Sequence, residues 1–186
     1  MRWAGGLKPQ MGPKARGGKS EPYLWNIFFK ADGKAIKVLD DFKLGGAVAF
    51  HFSEGSHGNL GTSIHKKPMI RIPTKLGTWN TRLAPIHIPH FEQYVPGVIG
   101  VISILMEQNN VTADGAEAGR LALNQKIEEM INQALPEFDP KGINLKDVQS
   151  SISNYFKEKI AEFSRDLRRE VVNAITDKQS FLQNIW

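Results

Sequence analysis

Apolar positions are densest between Pro96 and Glu107, where the sequence PGVIGVISILME is apolar at nearly every position. A continuous apolar run that begins at a Pro-Gly break is typical of a strand that is buried on both faces. We therefore expect this strand at the centre of the fold. The chain before it is patterned like sheet, and the chain after it changes to helical periodicity.

Several short strands are predicted before this run. The segment YLWNIFFK ends at Ala31-Asp32-Gly33, which is a hairpin signal, so a returning strand is expected over 34–39. Further strands are predicted over 47–52, 69–72 and 83–88, separated by segments rich in glycine and proline. This spacing of short strands indicates an antiparallel β-sandwich or a barrel-like sheet.

Helical periodicity begins near Asp114, which is predicted as an N-cap because Glu117 follows three positions later. Pro136 should end this first helix. A second helix is expected from about Asn144, with one long apolar stripe, and a break is predicted at Thr176. The apolar stripe of the first helix is Leu123, Ile127, Met130, Ile131 and Leu135; that of the second is at positions 145, 148, 152, 156, 160, 163, 167, 171 and 175.

These patterns predict an α+β fold, in which an N-terminal antiparallel β-sandwich or barrel-like sheet is followed by two C-terminal amphipathic helices. Residues 1–20 are expected to form a flexible basic arm, residues 21–111 a β-rich domain, and residues 112–186 a helical part packed on it. The two helices are expected to pack as a hairpin, and pairing of the long helix with another chain is the alternative.

The composition narrows the classes of function. A chain of 186 residues is long enough for one hydrophobic core. With no cysteine it has no disulfide and no thiolate for metal binding or catalysis. No apolar run reaches the roughly 18 residues of a membrane span, and no signal peptide is recognisable, so a soluble, cytoplasmic protein without a transmembrane segment is expected.

Positive charge is concentrated in the first part of the chain. Residues 1–110 hold 14 Lys and Arg against 7 Asp and Glu, whereas residues 111–186 hold 10 against 12. The arm contributes Lys14, Arg16 and Lys19 without any acidic residue, and these three are its candidate anion-binding residues. Such an arm would bind nucleic acid or an anionic membrane electrostatically, although a solvated tail is the simpler interpretation.

Catalytic and metal-binding motifs are weak. All five histidines fall between His51 and His90, but none has HExxH or HxH spacing, so a metal ligand set stays unknown. The glycine-rich loop after Ser53 lacks the lysine of a phosphate-binding loop, and neither a nucleophile elbow nor a calcium-loop pattern is present. No cofactor is predicted, and the chain is expected to be non-enzymatic.

The last residues form an apolar cluster of Phe181, Leu182, Ile185 and Trp186. Chain termini are usually polar and frayed, so this cluster is predicted to dock on the sheet of its own chain, on a partner subunit or on a further part of the protein. It is the candidate interface of the sequence.

Three functions follow from these observations. The leading hypothesis is an interaction or structural module that contacts another protein, including a second copy of itself. The second is a binder of nucleic acid or of an anionic membrane, toxin-like in its use of the arm and the long amphipathic helix. The third is a metal-dependent hydrolase that uses the histidine-rich β half.

Overall fold

The computed structural model describes residues 21–41, 43–61, 70–89, 92–107, 111–138 and 147–183, without the side chains of 148, 149, 152 and 181–183. Its elements in chain order are β1 (Pro22–Ala31), β2 (Ile36–Val38), β3 (Leu44–Gly46), β4 (Ala49–Phe52), α1 (Thr74–Gly77), β5 (Ile86–Ile88), β6 (Gln93–Val95), β7 (Val98–Glu107), α2 (Ala113–Ala134), a 3-10 turn (Leu135–Glu137) and α3 (Val148–Gln183). Antiparallel sheets precede the long helices α2 and α3, which confirms the predicted α+β class.

The central strand of the main sheet is β1, with β4 on one side and β7 on the other. β7 pairs with β1 over its whole length, from Pro22 opposite Glu107 to Ala31 opposite Val98. The prediction that the apolar run ending at Glu107 forms the central strand is therefore wrong. That run forms a strand, but the strand lies at the edge of the sheet as the described residues define it.

β1 is the strand that is buried on both faces. Its odd-numbered side chains, including Trp25 and Phe29, belong to the main hydrophobic core with α2 and α3. Leu24 packs on the opposite face with Leu60, from the loop after β4, and with Leu76, from the short helix α1. Helices therefore cover one face of the sheet, and irregular chain with the short helix α1 covers part of the other.

The predicted hairpin at Asp32 and Gly33 does not form, because β2 pairs with β3 and not with β1. The Asp32 carboxylate accepts hydrogen bonds from Lys34 N at 3.2 Å and from Ala84 N at 3.0 Å. Ile36 N also donates to Asp32 O at 2.8 Å, which turns the chain out of the main sheet. A Cβ on Gly33 would lie 1.9 Å from the Pro85 carbonyl oxygen, so only glycine fits this turn.

The sheets of the described residues are not closed into a barrel, so the barrel-like alternative is wrong. They are the three-stranded sheet β4-β1-β7 and the two-stranded sheets β2-β3 and β5-β6. The strand predicted over 69–72 is absent over its described part, Ile70–Ile72, and the strand predicted over 83–88 is limited to β5. The short strands β3 and β6 were not predicted.

The helices form an antiparallel hairpin. Tyr155 Oη donates to Ala134 O at 2.7 Å near the C-terminal end of α2. At the other end, a Cβ on Gly119 would lie 2.7 Å from Ile175 Cγ1, so the two helices approach closely there. The N-cap of α2 is Thr112, whose Oγ1 accepts from Gly115 N at 3.0 Å, and the predicted cap at Asp114 is wrong by two residues.

The long helix α3 continues without a break to Gln183, so the interruption predicted at Thr176 is wrong. Thr176 Oγ1 donates to Val172 O at 2.9 Å within the helix instead of capping a new one. The predicted apolar stripe is confirmed where side chains are described, with Phe156, Leu167 and Val171 buried in the core. The predicted start near Asn144 lies outside the described residues.

Candidate functional site

The outer edge of β7 is the candidate site, and the hydrogen bonds of β1 define which backbone groups form it. On the side of β1 away from β7, Ser53 N donates to Asn26 O at 3.0 Å, and Asn26 N donates to Ser53 Oγ at 3.1 Å. The Asn59 side-chain amide accepts from Leu24 N at 2.9 Å and donates to Leu24 O at 2.7 Å. Even-numbered residues of β1 therefore direct their backbone groups away from β7.

Backbone groups alternate sides along a strand, so the odd-numbered residues of β1 bond to β7. Ile27 lies opposite Ile102, which places the inward-directed N–H and C=O groups of β7 on its even-numbered residues. The odd-numbered residues from Ile99 to Leu105 consequently direct their backbone groups outward. Within the described ranges, no strand pairs with that side of β7.

The same odd-numbered residues carry the exposed side chains of β7. Ile99, Val101 and Leu105 have 43%, 43% and 51% of their surface exposed on the face away from the helices. Ser103 lies between them and donates its hydroxyl to Asn26 Oδ1 at 2.7 Å. A partner at this edge would therefore meet outward backbone groups and apolar side chains together.

β7 lacks the features that usually keep edge strands from pairing. Natural edges are short, interrupted by bulges or proline, or marked by charged residues. β7 has ten residues in continuous register with β1, and residues 98–106 contain neither a charge nor a proline. The edge is accordingly suited to contact with another strand.

An aromatic cluster adjoins this edge on the same face. Phe28 lies opposite Val101 in the register. Its ring centroid is 6.0 Å from that of His51 and 6.2 Å from that of Trp79. His51 and Trp79 are stacked, with centroids 5.6 Å apart and planes inclined by 8°. The cluster extends the apolar surface of β7 across β1 to β4.

The charges at one end of this face are neutralised within the chain. Lys30, which lies opposite Ile99, forms an ion pair of 3.0 Å with the buried Asp32 and donates to Arg82 O at 3.1 Å. Burial alone would raise the pKa of Asp32, but hydrogen bonds from Ala84 N, Lys30 and Lys34 N outweigh it and hold this pKa below its ordinary value.

The histidines do not converge on a reactive centre in the part of the chain that the structure describes. The three described histidines have different neighbours: His51 stacks on Trp79, His57 Nε2 is 3.1 Å from Val111 O, and the His87 ring is 4.9 Å from that of Tyr94. No group of three or more His, Asp and Glu among the described residues could hold a metal ion. His65 and His90 lie outside those residues.

The glycine-rich loop after Ser53 is attached to β1. Trp25 Nε1 donates to Ser56 O at 2.8 Å, and Asn59 also donates to Gly55 O at 3.1 Å. Gly58, with φ of 60°, adopts a left-handed backbone conformation that favours glycine. The loop therefore supplies hydrogen-bond partners to the strand beside it.

The apolar cluster at residues 181–186, which the sequence predicts as an interface, lies only partly within the described residues. Phe181 and Leu182 belong to the last turn of α3, but their side chains are not described, and Ile185 and Trp186 lie outside the described residues. Near this end, a Cβ on Gly115 in the first turn of α2 would lie 3.3 Å from Gln179 Cγ. The docking of this cluster stays a prediction.

The three arm residues Lys14, Arg16 and Lys19 also lie outside the described residues, so anion binding by the arm stays a prediction. The sequence did not identify the outer edge of β7 as a site. The sequence feature that could have identified this edge is the uncharged apolar run of residues 98–106, but the run was interpreted as a strand buried within its own chain.

The fold and this edge define the class: an α+β chain whose helical hairpin covers one face of an antiparallel sheet that has one long apolar edge. No protein-family model, no curated protein and no solved structure matches the chain. None of the described helices is long and apolar enough to cross a membrane. The arrangement at β7 is therefore the observation from which a function is argued.

Proposed function

We propose that this chain is a non-enzymatic protein-interaction module that binds an extended strand of its partner along the outer edge of β7. In this mode of recognition, main-chain hydrogen bonds supply affinity, and alternate side chains supply specificity. The single observation that carries the proposal is the coincidence of outward backbone groups and exposed apolar side chains on Ile99, Val101 and Leu105.

A difference between sequence and burial supports this proposal. Residues 98–106 are almost entirely apolar, as in a strand with two buried faces, yet the exposed residues of β7 alternate with half-buried ones. Ile102, Ile104 and Met106 pack against the core on the helical face. The side chains of an added strand would lie beside Ile99, Val101 and Leu105 on this face and bury part of their exposed surface.

The magnitudes indicate that backbone pairing must contribute to binding. Full burial of an aliphatic side chain is worth about 1.5–3 kcal/mol, so burying all of the exposed surface of these three side chains would supply at most on the order of 3 kcal/mol. Association of two bodies costs about 4–15 kcal/mol in lost translational and rotational freedom. Side-chain burial alone is thus insufficient, and the outward N–H and C=O groups have to be used.

Selection from a random library of displayed peptides tests the proposal. The unmodified chain should enrich peptides that bind in an extended conformation. The Val101→Lys variant should not bind these peptides, because lysine on an edge strand opposes strand addition. Val172→Lys is the matched control, since Val172 is 51% exposed on α3, comparable with the 43% of Val101.

Peptides that bind the unmodified chain and the control but not Val101→Lys would support the proposal. Peptides that bind all three equally, or no enrichment by a chain that is monomeric at the concentration of the selection, would overturn it. Circular dichroism of each variant verifies that the charge has not unfolded the chain.

A further inference from the structure

We propose that the strand received by β7 is β7 of a second copy, with the two strands antiparallel about a twofold axis at Ile102. This inference rests on the proposed function, because it names the partner of the same edge. The resulting dimer would have one continuous six-stranded sheet, in the order β4-β1-β7 followed by β7-β1-β4 of the second copy.

The outward backbone groups restrict the register. Odd-numbered residues of one β7 must face odd-numbered residues of the other, because only these direct their N–H and C=O groups to the free side. An axis at Ile102 meets this condition and places Ile99 opposite Leu105 of the second copy. An axis at Ser103 also meets it, but places Ile99 opposite the charged Glu107.

The pairing is self-complementary with the axis at Ile102. Ile99 and Leu105 are both exposed and apolar, and symmetry makes this contact occur twice. Val101 lies opposite Ser103 of the second copy, also twice. Four pairs of facing odd-numbered residues, with two hydrogen bonds in each pair, give about eight bonds across the axis.

Charge does not oppose this arrangement. No charged residue occurs between Val98 and Met106, so none lies at the contact itself. Lys30 lies beside Ile99 on the open face, and it is paired with Asp32. The two copies of Lys30 lie six residues apart along the sheet, a separation on the order of 20 Å at about 3.3 Å per residue.

The oligomeric state of the full chain is the first test. Sedimentation equilibrium between about 1 µM and about 1 mM should show a monomer–dimer equilibrium. Val101→Lys should raise the dissociation constant at least about tenfold, while Val172→Lys should change it less than about twofold. A monomer throughout this range, or equal effects of the two substitutions, would overturn self-association.

Disulfide trapping tests the axis, because the chain has no cysteine of its own. With the axis at Ile102, the two copies of that residue form a non-hydrogen-bonded pair with Cα atoms about 4.5 Å apart, within the span of a disulfide. Ile102→Cys should therefore cross-link under mild oxidation, and Ser103→Cys should cross-link far less. The reverse preference, or a dimer that neither variant traps, would overturn the proposed register.

The outcomes separate this inference from the proposed function. If the chain is monomeric but the peptide selection still depends on Val101, the edge binds a different protein, and only the second-copy partner is refuted. If neither self-association nor peptide binding depends on Val101, the proposed function fails as well.

Discussion

The two long strands of the main sheet, β1 and β7, each have one border that no long strand covers, and the chain treats the backbone groups along these two borders in different ways. Beyond the end of β4, Ser53 and Asn59 supply side-chain and backbone partners to Asn26 and Leu24 of β1. Along β7, the outward groups of residues 99–105 have no strand beside them within the described ranges. The border of β1 is completed by β4 and the loop after Ser53, and the border of β7 is available to a partner.

The border of β1 shows how a side chain can take the place of a neighbouring strand. The Asn59 amide has the same donor and acceptor as a peptide group, and it bonds to both backbone groups of Leu24 as a neighbouring strand would. β7 has no such side chain beside it in the described part of the chain. Because an unpaired buried backbone group is costly, breaking the completed border should lower stability, whereas changing the other should alter association.

The largest effect is expected where β1 ends, because both borders depend on the position of this strand. Asp32→Asn removes the charge partner of Lys30, whose side chain is only 13% exposed. Breaking a buried ion pair in this way costs about 4 kcal/mol of the free energy of unfolding. Urea unfolding measures the loss, and Asp41→Asn, in an exposed pair with Lys43, should leave the midpoint unchanged.

The same pair predicts a pH dependence. The pKa of Asp32 is lowered in the folded chain, so the unfolded chain binds this proton more readily. The stability that Asp32 contributes is present above its unfolded pKa of about 3.9 and is lost as the pH falls through the folded value. Urea midpoints of wild type and Asp32→Asn should therefore converge in strong acid, and a constant difference would contradict this assignment.

Asn59→Ala should open the completed border. It removes the partners of Leu24 N and Leu24 O together, and we expect a loss of about 2 kcal/mol in the free energy of unfolding. Asn80→Ala, at an exposed position, is the matched control. Equal midpoints of thermal unfolding for the two variants would show that Asn59 does not act as a strand substitute.

A smaller loss is expected from Ser53→Ala. This change removes the acceptor of Asn26 N but keeps the backbone bond from Ser53 N to Asn26 O, so the cost should be about 1 kcal/mol. Amide hydrogen exchange at Asn26 should become faster in the variant. Unchanged exchange would indicate that another group satisfies this N–H.

The smallest effect on stability is expected from a substitution at the outer edge of β7. Val101→Thr keeps the β-branched shape at an exposed position, so the free energy of unfolding should change by less than about 0.5 kcal/mol. Urea unfolding at a concentration where the chain is monomeric measures this. A larger loss would mean that Val101 is packed within its own chain.

Elements with a single dominant pattern were predictable. The 3.6-residue periodicity gave the buried face of α2, including Leu123 and Ile127, and the stripe of α3 through Phe156 and Leu167. The aromatic segment of β1 was also predicted as a strand. In each case the apolar residues are buried by the chain itself, so the pattern and the packing agree.

The other expectations failed where a distant residue decides the local structure. Asp32 and Gly33 resemble a hairpin turn, but the carboxylate is occupied by Ala84 N from 52 positions away, and this contact leaves no local pattern. The run through Val101 predicted two buried faces, because an apolar position has the same appearance whether its own chain or another one covers it. The open border was missed for that reason.

The loop side chain of Asn59 also limits how far assembly proceeds. A sheet with two available borders adds copies at both ends and grows into a fibre, whereas a sheet with one available border closes after a single twofold contact. Asn59 and Ser53 occupy β1 beyond the end of β4, so the opposite border offers only the four residues of β4 to a further copy, and growth beyond the dimer formed at β7 is disfavoured. A variant without this amide would be the form most prone to ordered aggregation.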